Sequence, residues 1–182
     1  NEFTQAEQLV KEAMSYAKTI KNPKAQISNH LYLAEIFQKT SRFESALTQW
    51  QRAITLATEY EMSDVIAQAY LNRLKINLHQ HNTAQANVNL NLLIQLHEEH
   101  TDENINQTLT EAKLLLSLFK KDIVLSQQHV KSLQSAGFEL IGVYQGDVAR
   151  LLQQSEAAEL HYLEALMLAN KTGRYDQIVW VM

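Results

Sequence analysis

Histidine leads the few residues here whose type and spacing could do chemistry. "HQH" places His79 beside His81, and "HEEH" places His97 and His100 three residues apart. Two imidazoles at i and i+3 on a helix can share a metal ion. The zincin helix instead needs its histidines at i and i+4, a spacing "HEEH" lacks. Both clusters fall at predicted helix C-termini, where the partial negative charge of the helix end favours His. They read as structural or solvated residues, and no metal site is expected. "ELIGVYQGDVAR" contains Gly142 and Gly146, but in a predicted helix rather than a strand-to-helix turn, so it is no phosphate loop. Gly146 reads as a point of close helix packing. No Ser-His-Asp order stands out and no G-x-S-x-G occurs. Adjacent Glu98 and Glu99 point in two directions on a helix and read as a solvated face. No catalytic residue and no cofactor is expected, and the chain reads as a non-enzyme.

Composition narrows the class further. The 182 residues are 46% hydrophobic and 20% charged, which disfavours disorder. Only 4 Gly and 1 Pro are present, too few for the many turns of a β-rich fold, so an all-α protein is expected. A net charge of −4 argues against direct nucleic-acid binding, which needs a basic face. Cysteine is absent, which excludes disulfides and thiolate chemistry. The most apolar stretch, "AKLLLSLF", is far shorter than the roughly 18–20 residues a membrane span needs, so no membrane insertion is expected. The chain begins at Asn1 rather than Met, which reads as a piece excised from a longer protein. Compartment is left open, with the cytoplasm favoured and the periplasm allowed.

The elements that would position any site are helices. Ala6, Val10, Ala13 and Ala17 form one stripe at helical spacing. Asn22-Pro23 ends that helix, because the residue before Pro avoids helical backbone. Further helices are predicted over about 25–39, 43–58, 63–80, 83–99, 102–119, 122–135, 138–153 and 155–170, with a tenth starting at 174. Ser63, Thr83, Thr101 or Asp102, and Ser155 read as N-caps, and Gly137 and Gly173 as left-handed stops. Such short loops imply antiparallel neighbours.

An internal repeat organises these helices. "SRFESALTQWQRAITLA" and "QQSEAAELHYLEALMLA" match at Ala46/Ala158, Trp50/Tyr162, Ala53/Ala165 and Ala57/Ala169. The register continues ungapped from "ITLATEYEMSDVIAQAY" to "LMLANKTGRYDQIVWVM". Small anchor residues recur at Ala6, Ala46, Ala86, Ser126 and Ala158, in steps of 40, 40, 40 and 32. The aromatics Phe37, Trp50 and Tyr162 fall at packing positions.

"NHLYLAEIFQKTSRFESALTQWQRAITLA" resembles a tetratricopeptide repeat. Leu33-Ala34 and Phe37 stand in its first helix, and Phe43, Ala46, Trp50 and Ala53 in its second. Gly146, Ala149, Ala158, Tyr162 and Ala165 repeat the pattern near the other end. The resemblance implies a right-handed superhelical solenoid of antiparallel helix pairs, of nine to ten helices. Residues 1–22 would be an orphan second helix; 25–58, 63–99, 102–135 and 138–170 would be pairs; 174–182 would begin a further repeat. The family's usual period is about 34 residues and its second helix is followed by Pro, whereas three steps here are 40 and that Pro is missing. Long periods of this kind resemble the arrays of bacterial regulatory and signalling proteins.

The resemblance also assigns a partner surface. First-helix residues Leu31, Glu35, Gln38, Lys39, Leu71, Lys75, His79, Glu111, Val143, Asp147 and Arg150 would line a concave groove holding a protein or peptide. Leu31 and Glu35 occupy the places where some members carry a carboxylate clamp, so clamping of a peptide C-terminus is not expected. The implied function is a protein-binding module of a bacterial signalling or transcription-regulatory protein. The alternative is a structural spacer that self-associates through its truncated ends, with Val179, Trp180, Val181 and Met182 as an apolar end.

Overall fold

One turn, used again and again, sets the architecture. In the computed structural model, which describes residues 2–139 and 141–173, the chain forms nine helices and no strand among the described residues. They are α1 (Glu2–Thr19), α2 (Pro23–Lys39), α3 (Phe43–Glu59), α4 (Ser63–His79), α5 (Thr83–Glu99), α6 (Glu103–Phe119), α7 (Ile123–Ser135), α8 (Ile141–Leu151) and α9 (Ser155–Thr172). Left-handed residues punctuate them at Lys21, Ser41, Glu61, His81, Lys121, Gly137, Gln153 and Gly173. At seven of these the next backbone N–H donates to the carbonyl five residues before it, at 2.7–3.0 Å. The left-handed residue's own N–H donates three residues back, at 3.0–3.3 Å. This pair of bonds is the Schellman motif, which satisfies the orphan carbonyls of a helix end.

The same turn starts the next helix. The residue after the left-handed one is the N-cap at Asn22, Arg42, Met62, Asn82, Asp122 and Gln154. Asn22, Asn82 and Asp122 also accept a backbone N–H on their side chains, at 3.1 Å. The caps expected at Ser63, Thr83 and Ser155 therefore lie one residue earlier, at Met62 and Gln154 without a side-chain bond and at Asn82 with one. Asp102 does cap α6, accepting from Asn104 and Ile105 at 2.8 and 3.3 Å. The eighth helix, expected from residue 138, begins at Ile141, because Phe138 still belongs to the turn closed by Gly137. The tenth helix expected at 174–182 lies outside the described residues.

The chain divides into two compact units, Asn1–Leu109 and Thr110–Met182. In the first, helices α2 to α5 have 17 residues each and the turns three, giving a 20-residue step and a 40-residue pair. In the second, the left-handed residues fall at 121, 137 and 153, two steps of 16, which produces the 32-residue anchor step read from the sequence. Consecutive helices pack on one another: α1 to α5 in chain order in the first unit, and α7, α8 and α9 in the second.

Small residues set the helix spacing. Ala46, Ala86 and Ser126 are fully buried and Ala158 nearly so. Trp50, on the same stripe as Ala46 and Ala53, is 1% exposed, and burying a side chain of that size contributes about 3 kcal/mol. In the second unit Leu114, Val130, Leu133, Tyr144 and Val148 form one cluster, and Val143, Ala165 and Ala169 another. A Cβ added to Gly146 would lie 2.4 Å from the Tyr162 ring, so only glycine permits this approach of α8 to α9.

Candidate functional site

The first unit presents one open face on its first helices. On α2, Ser28, Tyr32, Glu35 and Lys39 are exposed, at i, i+4, i+7 and i+11. On α4 the same register positions, 40 residues on, carry Gln68, Asn72, Lys75 and His79, of which Gln68 and His79 are exposed and Asn72 and Lys75 half-buried. The His79 ring sits against Phe43, with centroids 4.9 Å apart. The face therefore presents amides, an aromatic ring and both signs of charge. No group of three His, Asp or Glu that could hold a metal occurs among the described residues.

Of the other residues expected in the groove, Leu31 is half-buried, whereas Gln38 and Leu71 are buried. Leu71 lies ten residues past the left-handed Glu61, as Leu31 lies ten past Lys21. That register position faces inward, so Leu71 packs in the core and is not offered to a partner.

In the second unit Glu111, Val143 and Asp147 are likewise buried, and Arg150 is exposed. Val143 is a core residue against Ala165 and Ala169. Glu111 and Asp147 occupy the inward position that is leucine in α2 and α4: Glu111 is 40 past Leu71, and Asp147 is ten past Gly137. A carboxylate there needs hydrogen bonds. The Tyr144 hydroxyl donates to Glu111 Oε1 at 2.6 Å, and the Tyr162 hydroxyl to Asp147 Oδ1 at 2.7 Å. Arg150 adds a 3.2 Å bond to the same Asp147 oxygen. Burial raises the Asp147 pKa above its ordinary value, while Tyr162 and Arg150 act against that rise. Burial, then the Glu111 charge and hydrogen bond, push Tyr144 well above the phenol range. Tyr162 is pushed up to about 12 by burial and its bond to Asp147. Both tyrosines are fixed donors, and the carboxylates are structural acceptors.

A groove of about 430 Å³ lies on α8 and α9, with Val143, Ala158, Leu163, Leu166 and the Tyr162 ring as apolar wall and Arg150, Ser155 and Glu159 as polar margin. Reading the sequence missed Tyr32, Tyr144 and the exposed leucines of α9. The signal for Tyr144 was there: a carboxylate in a register slot that is otherwise leucine calls for a donor. No helix among the described residues is long and apolar enough to cross a membrane. No family model, curated protein or solved structure matches this chain.

Proposed function

We propose that the chain is a protein- or peptide-binding module built as a tetratricopeptide-like right-handed solenoid, and that its partner lies along the first-helix face. One observation carries this reading. At the register of Glu35 and Lys39 in α2, α4 carries Lys75 and His79 40 residues later, so polar or ionic groups recur there though not the same charges, each exposed or half-buried. A repeated array of ionic and amide groups on successive helices suits an extended or helical peptide. The long repeat period further supports a place in a bacterial signalling or transcription-regulatory protein, where the module itself carries no catalytic chemistry.

The test compares the parent with a Glu35→Ala, Lys39→Ala, Lys75→Ala variant as bait in a native lysate, with helicity checked by circular dichroism. A protein retained by the parent and lost from the equally helical variant is the expected result. The same captured set on both baits would overturn the groove reading and leave the spacer.

A further inference from the structure

The outer face of α9 departs from a pattern that the other second helices keep at all but one position. Counting from each small anchor, positions two, five and nine further on are exposed in all five second helices. In α1 they are Gln8, Lys11 and Ser15, and in α3 Thr48, Gln51 and Thr55. In α5 they are Val88, Asn91 and Gln95, and in α7 Gln128, Lys131 and Ser135. Eleven of these twelve are polar, Val88 being the exception. In α9 the three positions are Leu160, Leu163 and Met167, and they are 57%, 49% and 64% exposed.

Among the described second helices, this register is not the surface that the following helix covers. α1, α3 and α7 each have the following helix packed on them and still leave these positions open. In α3 the buried apolar position is instead Ile54, eight past the anchor. Three large apolar side chains at i, i+3 and i+7, on a face that stacking leaves in water, mark a docking seam for another helix.

Charge chooses the occupant. Exposed Glu156, Glu159 and Glu164 flank the stripe, with Lys171 a turn past its end. His161 Nδ1 lies 3.6 Å from Glu164, and Arg150 of α8 lines the same groove as Glu159 and Leu163. A second copy paired across Leu163 would bring Glu159 and Glu164 of both chains together, and such convergence of like charge is unfavourable. We propose that the outer face of α9 docks a basic amphipathic helix of a partner protein, its leucines on Leu160, Leu163 and Met167 and its lysines or arginines on Glu156, Glu159 and Glu164. The site uses none of Glu35, Lys39 and Lys75, so the variant of those three retains it.

The experiment is a fluorescence-anisotropy titration of the whole chain with two labelled 18-residue helical peptides, one of Leu and Lys and one of Leu and Glu. The Leu/Lys peptide is expected to bind at least tenfold more tightly, with affinity falling as salt rises. A Leu160→Thr, Leu163→Gln, Met167→Thr variant, which takes the residues of α3, is expected to lose at least tenfold. Leu163→Gln alone provides a milder check of the same loss should the triple variant fold poorly. Unchanged affinity in these variants, or no preference for the Lys peptide, would overturn the proposal. A dimer in sedimentation that the triple variant abolishes would overturn it in favour of a second copy, and binding only to phosphatidylcholine vesicles would overturn it in favour of a lipid surface.

Discussion

The two units use the same turn to join helices but fill their interiors differently. In the first unit the buried polar groups are neutral: Asn29, Gln38, Gln49, Asn77 and Asn89, with the His30 imidazole 2.8 Å from Gln49. In the second unit carboxylates enter the interior, and tyrosine hydroxyls from other helices hold them. The first unit also keeps a strict 20-residue step on non-glycine left-handed residues, whereas the second has two steps of 16 before one of 20 and alternates Lys121 and Gln153 with Gly137 and Gly173. A fixed helix length lets each apolar face repeat without polar help. Shortened helices lose apolar area, and specific hydrogen bonds and a glycine contact take over the definition of the packing.

Truncation tests this contrast most severely. Trp50→Ala in the first unit leaves a large cavity and is expected to cost about 3–5 kcal/mol. Gly146→Ala adds one methyl group in the second unit and is expected to cost about 1–3 kcal/mol through the clash with Tyr162. Urea denaturation of both variants checks this. Equal, near-zero changes would mean that neither contact defines its unit.

A smaller effect separates the turns. Ser41→Gly and His81→Gly relieve left-handed strain in the first unit and are each expected to stabilise by about 0.5–1 kcal/mol. Gly137→Ala in the second unit meets no neighbouring atom within 4 Å, so its expected loss of about 1 kcal/mol is backbone strain alone. The shifts in denaturation midpoint should therefore have opposite signs. Destabilisation by Ser41→Gly would show that the turn is not strained.

The finest comparison is in pH. Burial lowers the His30 pKa below its ordinary 6.5, with Arg52 and Lys18 adding to this and the Gln49 bond opposing it. His30 therefore contributes fully above pH 6.5, and that stability is lost as pH falls through the folded value. Burial raises Asp147 above 3.8, so its contribution is full below 3.8 and lost as pH rises through the folded value. The stability difference between parent and His30→Gln should rise with pH, and that between parent and Asp147→Asn should fall, with other titrating groups such as His129 cancelling in each difference. Slopes of the same sign would break the distinction between the two interiors.

By itself the sequence determined that the chain is helical and that its helices recur at fixed register. Helical spacing of small and apolar residues is a local property, and Ala46, Ala86, Ser126 and Ala158 carried it into the core as read. The conformation of the turns was hidden, because Lys21, Ser41, Glu61 and His81 adopt a left-handed backbone that no local signal announces. Tertiary structure alone decided which polar residues face water. Glu35, Lys39 and Arg150 stayed at the surface, whereas Gln38, Glu111 and Asp147 went inside, and an isolated helix looks the same in either case. Whether a carboxylate is solvated or buried depends on the donor that reaches it, and for Glu111 that donor is Tyr144, 33 residues away in the chain.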